Sequence, residues 1–363
     1  MGSATAYHLA RRGQRVLGFD AFPRGHTQGS SHGESRIIRL AYFEHPNYVP
    51  LLRRAYAVWD ATQHEARREL LRMTGGVFVG RPGSALVDGS LLSARTHHLP
   101  HELLDPDQIR GRVPVFRPHP DEVAVYESSA GVLFPERCIE AHLDLATWGG
   151  ADLRHGEPVQ GWTATSNGVE VRTASGRYAA DRLVLTAGAW LSKLLADLPL
   201  APERIPVAWF QPRCEPELFT ADRFPVFIWD TGVEVFYGSP HLDWPGVKVG
   251  RHHQGQLCDP DTVERTATDT DEAPLRAFVR DRIPDLDGPT ASRVVCLYTN
   301  TPDEHFLIDH HPTWPNVVFA GGFSGHGFKF ASVVGEILAD LVTTGHTAPE
   351  AAFLGSARFA RTS

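Results

Sequence analysis

Apolar residues recur along this chain with two periods, so the sequence predicts alternating helices and strands. A spacing of three or four residues predicts helices over residues 3–12, 48–71, 135–148, 271–281 and 331–342. Alternating or unbroken apolar runs predict strands within residues 14–20, 75–80, 122–127, 169–190 and 316–322, and through most of residues 205–300. The pattern therefore indicates an α/β protein with a β-rich insertion.

The first helix and strand match the second half of a dinucleotide-binding unit. Residues 3–12 have a face of small side chains, Gly13 stands just beyond them, and the next strand ends at Asp20. An acid at that place accepts hydrogen bonds from a cofactor ribose, and Gly2 corresponds to the last glycine of the phosphate-binding turn. We therefore expect a further strand and the rest of the glycine motif, roughly ten residues, before Met1 in the cellular protein. An ordinary helix–strand pair stays open as the alternative on this signal alone.

Composition narrows the class of protein. The 363 residues are 42% hydrophobic and 21% charged, which indicates a soluble folded protein of about two domains. The formal net charge of −8 disfavours a nucleic-acid partner. The sequence has no apolar stretch long enough to span a bilayer and no signal peptide, and its four cysteines are scattered. We therefore expect a cytoplasmic protein without a membrane partner, a disulfide framework or a metal site.

Lysine is rare in this chain, because only Lys193, Lys248 and Lys329 stand among 35 basic residues. A lysine ammonium differs from a guanidinium in being a compact charge whose pKa can be tuned. Lys248 alternates with two valines in a predicted strand, where a solvated side chain is the simpler interpretation. Lys329 lies in the glycine-rich segment SGHGFKF, between a buried strand and a helix. Such a loop suits an anion, because the backbone can approach closely and the helix start is partially positive.

Two further features carry possible chemistry. Arg36 and Arg39 are three residues apart in RIIR, so they share a face in a helix and point opposite ways in a strand. A guanidinium can hold a carboxylate with two hydrogen bonds, although a surface pair is the alternative. Cys296 lies in an apolar strand, which by itself indicates a buried core cysteine.

Four segments together resemble one enzyme family. They are SSHGESRIIRLAY (30–42), YGSPHLDWPGVKVGRHH (237–253), CLYTNTPDEHFLID (296–309) and GFSGHGFKFASVVGE (322–336). In this order they are similar to the monomeric sarcosine oxidase family, which includes N-methyltryptophan oxidase, and the resemblance runs along nearly the whole chain. It implies an α/β (α+β overall) fold of the D-amino-acid-oxidase type. A Rossmann-like FAD-binding domain, lacking its first strand, is expected from residues 1–74, 133–204 and 305–363. A β-rich substrate domain is expected from residues 75–132 and 205–304.

The resemblance also implies roles for individual residues. FAD is expected to be bound covalently, through a thioether from Cys296 to the flavin 8-methyl group. Arg39 and Lys329 would bind the substrate carboxylate, Lys248 would activate oxygen, Tyr237 would line the substrate pocket, and Arg36 and His252 would lie near the flavin ring. The further residues expected along FAD are Gly2, Asp20, Ser31, Val159, Gly188, Gly322, Gly325, Gly327 and Phe328.

The implied reaction is oxidation of the C–N bond of an N-methyl or cyclic secondary amino acid such as sarcosine. The imine would hydrolyse, O2 would be reduced to H2O2, and the enzyme would act as a monomer. Trp229 and Trp244, in the predicted pocket strands, favour a substrate larger than sarcosine. One alternative is a dehydrogenase with another electron acceptor, which Lys248 argues against. A second is a silent, FAD-free remnant, which the short N-terminus favours and the presence of Cys296 and Lys329 disfavours.

Overall fold

The structure is a computed structural model that describes residues 1–359. The last four residues of the segment 305–363, predicted to belong to the FAD-binding domain, lie outside the described residues. The helices are α1 (Gly2–Arg11), α2 (Tyr48–Ala66), α3 (Ala85–Thr96), α4 (Pro106–Arg112), α5 (Pro135–Trp148), α6 (Leu191–Leu194), α7 (Asp269–Arg282) and α8 (Ala331–Thr344). Among residues 1–359, no helix combines the length and the apolarity needed to cross a membrane.

Strands account for most of the remaining regular structure. They are β1 (Leu17–Asp20), β2 (Arg36–Ile38), β3 (Leu71–Met73), β4 (Gly76–Gly80), β5 (Glu102–Leu104), β6 (Val123–Glu127), β7 (Gly131–Leu133), β8 (Asp152–His155), β9 (Val159–Thr165), β10 (Gly168–Thr173), β11 (Arg177–Ala180), β12 (Leu183–Leu185), β13 (Ala201–Phe210), β14 (Val226–Asp230), β15 (Val235–Ser239), β16 (Val247–His252), β17 (Gln256–Leu257), β18 (Thr290–Asn300), β19 (Leu307–His310) and β20 (Val317–Gly321).

Two small parallel arrangements form the part of the fold that begins the chain. Strand β1 pairs in parallel with β8, and β12 pairs in parallel with β20, which β19 extends in the antiparallel sense. Helix α1 packs between α5 and α8. Its approach to α8 is very close, because a Cβ on Gly335 would lie 2.6 Å from Ala4 Cβ. The small-residue face predicted for α1 is therefore the face that packs.

A nine-stranded mixed sheet forms the second part. Its order is β17-β13-β16-β15-β14-β4-β6-β5, with β18 paired to β13. These strands come from residues 76–127 and 201–300. One face is covered by α7 and by an apolar cluster that includes Phe227, Trp229 and Phe278. The other face turns toward the small parallel sheets, so the two parts enclose a space between them.

The structure corrects the predicted local structure at two places and decides between the two conformations left open for a third segment. The helix predicted over residues 48–71 ends at Ala66, because Arg67 adopts a left-handed conformation with a φ of 50° and β3 follows. The pattern predicts no helix within residues 91–120, but these residues include the end of α3 and all of α4. The segment RIIR is extended rather than helical, since β2 pairs with β7. Side chains alternate between the two faces of an extended segment, so Arg36 and Arg39 point to opposite faces.

Candidate active site

One cavity of about 1640 Å³ runs from the small parallel sheets to the nine-stranded sheet. Part of it lies between the β1–β8 and β12–β20 pairs, since Leu17 and Val184 both line it. It brings together all the site residues expected from the sequence: Gly2, Asp20, Ser31, Arg36, Arg39, Val159, Gly188, Tyr237, Lys248, His252, Cys296, Gly322, Gly325, Gly327, Phe328 and Lys329.

One end of the cavity has the features of a nucleotide site. Helix α1 begins there, at Gly2, and no side chain caps its N-terminal N–H groups within residues 1–359. Those groups and the helix dipole favour a phosphate. The Asp20 carboxylate stands at the end of β1, where it accepts a hydrogen bond from Phe22 N at 2.9 Å. Burial raises the pKa of Asp20, but His26 and the Phe22 N–H together hold it below its usual value. These donors and this acceptor fit the diphosphate and a ribose of a dinucleotide.

A glycine turn forms the wall next to α8. Gly325 has a φ of 78°, and a Cβ there would lie 2.2 Å from Tyr298 Cε2. Glycine is therefore required at this point both by backbone conformation and by space. The turn leads directly into Lys329, whose ammonium is buried on the cavity side.

Arg39 and Lys329 form a buried cationic pair. Arg39 Cζ lies 4.4 Å from the centre of the Tyr42 ring, and Lys329 Nζ lies 5.1 Å from the same centre. Arg39 donates to Ala41 O at 2.8 Å and to Glu44 Oε2 at 2.6 Å, while its buried Nε has no partner among residues 1–359. Lys329 Nζ donates to His326 O at 2.8 Å. Burial, and then the charge of Arg39, lower the pKa of Lys329 to about 7. Arg39 is already paired with Glu44, whereas Lys329 Nζ makes one hydrogen bond within residues 1–359 and keeps two N–H groups for a ligand carboxylate.

Lys248 is held on another wall by the backbone. It lies on β16, and its Nζ donates to Gly33 O at 2.7 Å and to Ser35 O at 3.0 Å. Burial, and then the charge of Arg36, lower its pKa to about 7. Since an ammonium has three N–H groups, one remains for the cavity.

Cys296 lies beside Arg36 and His32. The Cys296 thiol donates to His32 O at 3.7 Å, and Arg36 Nη2 is 3.8 Å from the sulfur. Burial raises the pKa of this thiol, but the His32 side chain and then the charge of Arg36 outweigh burial and bring the pKa to about 6. A thiol whose pKa is lowered in this way ionises readily to the thiolate, which is the nucleophilic form. Cys296 is buried, as the apolar strand indicates, and it also lines the cavity.

Three ring side chains stand between these groups. The Tyr298 hydroxyl donates to the Tyr237 hydroxyl at 3.5 Å and lies 3.4 Å from His252 Nδ1. Burial, and then His253, lower the pKa of His252 well below its usual value, so its ring is neutral. Tyr298 was not predicted from the sequence. Its period-two spacing from Cys296 on β18 would have placed it on the same face.

Comparison with known proteins identifies the family to which this chain belongs. A family model described as FAD dependent oxidoreductase (DAO) matches residues 1–341. The monomeric sarcosine oxidase of Streptomyces avermitilis is 48% identical over 355 residues, covering 96% of this chain and 92% of that protein. The chain belongs to the sarcosine oxidase family of FAD-dependent oxidoreductases. The N-methyl-L-tryptophan oxidase of Salmonella arizonae is 36% identical over 343 residues, covering 94% and 91%. The solved structure of NikD, an unusual amino acid oxidase, has a TM-score of 0.85 at 24% identity, covering 97% of this chain and 94% of NikD.

Membership in the sarcosine oxidase family confirms the predicted family, α/β fold class and activity. The chain is an FAD-dependent oxidoreductase of the sarcosine oxidase type, which acts on the C–N bond of a secondary amino acid and uses O2. The site fits FAD, because its phosphate end has helix N–H groups that no side chain caps within residues 1–359 and its far end has Cys296 and buried cations. When bound, FAD supplies the two-electron redox chemistry.

One expectation about this sarcosine-oxidase-type site needs correction. Trp229 and Trp244 do not line the cavity in the described part of the chain. Trp229 points to the opposite face of β14 from Ile228, where its Nε1 donates to Glu122 at 3.1 Å, and Trp244 packs on Trp209 at 4.8 Å. The reason for a substrate larger than sarcosine therefore disappears. Lys193, for which the sequence predicts no role, is exposed at the cavity edge and pairs with Asp259 and Asp261.

Proposed function

We propose that this enzyme oxidises a small secondary amino acid, sarcosine or a cyclic analogue, and that it carries FAD on Cys296. The observation that carries the proposal is that the two cations Arg39 and Lys329 line the same cavity as Cys296 and the backbone-held lysine. We further propose that the chain works as a monomer, in the cytoplasm, with the nine-stranded sheet as its substrate domain.

The substrate carboxylate would bind between Arg39 and Lys329, which fixes the orientation of the C–N bond. Ile228, Val235 and Tyr237 line the same cavity. They leave an apolar space for an N-methyl group or a small ring. The imine product is released to water, which hydrolyses its C=N bond.

Lys248 would act on the oxygen side of the reaction. Reduction of O2 to H2O2 develops negative charge in a buried place, where a fixed ammonium stabilises an anion far more than it does in water. Its two bonds to Gly33 O and Ser35 O fix the position of Nζ and leave one N–H for the anion.

The thioether is supported by the low pKa of Cys296. The test is a visible spectrum of the purified protein, repeated on its acid-precipitated pellet. We expect flavin absorbance to stay with the pellet, and to be released from a Cys296→Ser pellet into the supernatant. Peroxide release with sarcosine, proline and pipecolate then identifies the substrate. A colourless protein that releases no peroxide with any of them would refute the proposal.

A further inference from the structure

Lys248 is held by a turn that two carboxylates shape. The turn is Gly33–Ser35, and both carbonyls that accept hydrogen bonds from Lys248 Nζ belong to it. Its middle residue, Glu34, has a φ of 69°, in the left-handed region that side chains other than glycine rarely adopt. A turn of this kind persists only where its surroundings hold it.

The Glu34 side chain is one of these holding contacts. It is buried, its Oε2 accepts from Trp209 Nε1 at 2.8 Å, and its Oε1 accepts from Trp244 N at 2.6 Å. The Trp209 ring is also packed 5.3 Å from Lys248 Nζ. Glu34 therefore connects the turn to the strand next to the one that carries Lys248.

Glu136, at the start of α5, holds the turn from the other side. Its Oε1 accepts from Gly33 N at 2.7 Å and from Glu34 N at 3.1 Å. Neither carboxylate forms an ion pair within 4 Å in residues 1–359, although Glu34 is almost fully buried. A buried carboxylate without a paired cation is costly, so a use for the charge of Glu34 is expected.

We propose that Glu34 and Glu136 are positioning residues for Lys248: they aim the carbonyls of the turn at its ammonium and favour its charged form. This inference rests on the proposed role of Lys248 in oxygen reduction.

Some of the charges around Lys248 lower its pKa and others raise it. Arg36 on β2 opposes its ammonium, while the Cys296 thiolate on β18, Glu136 on α5 and Glu34 in the turn favour it. Removing either carboxylate should therefore lower the pKa of Lys248 further. Burial raises the pKa of Glu34, and Lys248 is one of the groups that oppose this rise, as expected for mutual coupling.

Two substitutions separate charge from geometry. Glu136→Gln keeps an oxygen for both backbone amides and removes only the charge. Glu34→Gln removes the charge and one of the two accepted hydrogen bonds, because an amide has a single oxygen. The matched control is Glu272→Gln, a similarly buried carboxylate on α7 that pairs with Arg276 and Arg293.

The scarcity of lysine makes a direct measurement possible. In holoenzyme labelled with [ε-13C]lysine, three side chains give signals, and Lys248→Met assigns the one of interest. We expect the Lys248 titration midpoint to fall by at least about 0.5 pH unit in Glu34→Gln and Glu136→Gln, and to stay within about 0.1 unit in Glu272→Gln.

Kinetics gives the second measurement. In both variants, the pH at which the rate of flavin reoxidation by O2 falls should shift down by the same amount as the Lys248 titration midpoint. Glu34→Gln should also reoxidise more slowly than the parent at pH values below that midpoint. Anaerobic reduction by sarcosine should change less than about twofold, because the carboxylate site is on another wall.

The inference is overturned if folded Glu136→Gln holoenzyme, with an unchanged melting temperature, keeps the parental Lys248 midpoint. This variant decides the question even if Glu34→Gln does not fold. Failure of the proposed function looks different: Lys248→Met would then reoxidise at the parental rate, whatever the carboxylate variants do to the lysine signal.

Discussion

The cationic pair predicts that carboxylate binding depends on pH and that Lys329→Met removes this dependence. In the free protein, burial and then Arg39 lower the pKa of Lys329 to about 7. A bound carboxylate raises that pKa, since it favours the ammonium. Above pH 7, binding therefore takes up a proton, and the Kd of a carboxylate should rise by up to tenfold for each pH unit.

The size of the effect follows from the contacts. Lys329 Nζ makes one hydrogen bond within the chain, to His326 O, so two N–H groups are available to a ligand. A hydrogen bond to a charged group contributes about 1.5–3 kcal/mol, so Lys329→Met should weaken binding roughly 10- to 150-fold at pH 6. At pH 9 the parent has lost up to about 100-fold by deprotonation, and the two proteins should bind similarly.

Propionate is a carboxylate without an amine, so its Kd reports the carboxylate contact alone. Its binding can be followed by the change in flavin absorbance from pH 6 to pH 9. Lys193→Met is the control, because Lys193 pairs with Asp259 and Asp261 away from the cationic pair. Parental affinity at pH 6 in Lys329→Met, or the same pH slope in both proteins, would refute the assignment of Lys329 to the carboxylate.

Two further predictions concern buried titratable groups. Lys248→Met should keep anaerobic flavin reduction by substrate but slow reoxidation by about 10²-fold or more, which stopped-flow absorbance measures; unchanged reoxidation would contradict the role of its ammonium. Burial lowers the pKa of His142 to about 3, so the unfolded chain binds more protons below pH 6.5 and stability falls as the pH drops. Between pH 7 and pH 4.5, His142 should lower the free energy of unfolding by up to about 2.7 kcal/mol. Urea unfolding of His142→Phe should show a smaller loss over this pH range, and equal losses in both proteins would contradict this.

The fold was predictable where a local signal sets the structure. Helix α5 begins at Pro135 as expected, because proline fits the first helical turn. Helix α3 was not predicted, and Gly89 explains why. A Cβ at this position would lie 2.4 Å from Phe43 O, so only glycine fits there. The helix therefore has a gap in the pattern of apolar side chains by which it would otherwise be identified. That requirement comes from a tertiary contact that the sequence does not show.

The site was predictable where a residue matched the family and unpredictable where it acts through the fold. Cys296 and Lys329 were expected from their surrounding segments, and both line the cavity. Glu34 lies in one of the same segments, yet its importance depends on a left-handed backbone and on Trp209, far away in sequence. The error over Trp229 has the opposite cause, because one step along β14 exchanges the cavity face for the core face.

The distribution of lysine follows from the same chemistry. Arginine stays charged at any physiological pH, so it serves wherever a permanent cation is sufficient. Lys248 and Lys329 are buried with pKa values of about 7, so an anion bound beside either of them would favour its charged form. Lys193 pairs with two aspartates at the cavity edge, a task that an arginine could perform equally well. A chain that uses arginine almost everywhere thus places lysine at the two buried sites where a compact cation with a tunable pKa faces the cavity.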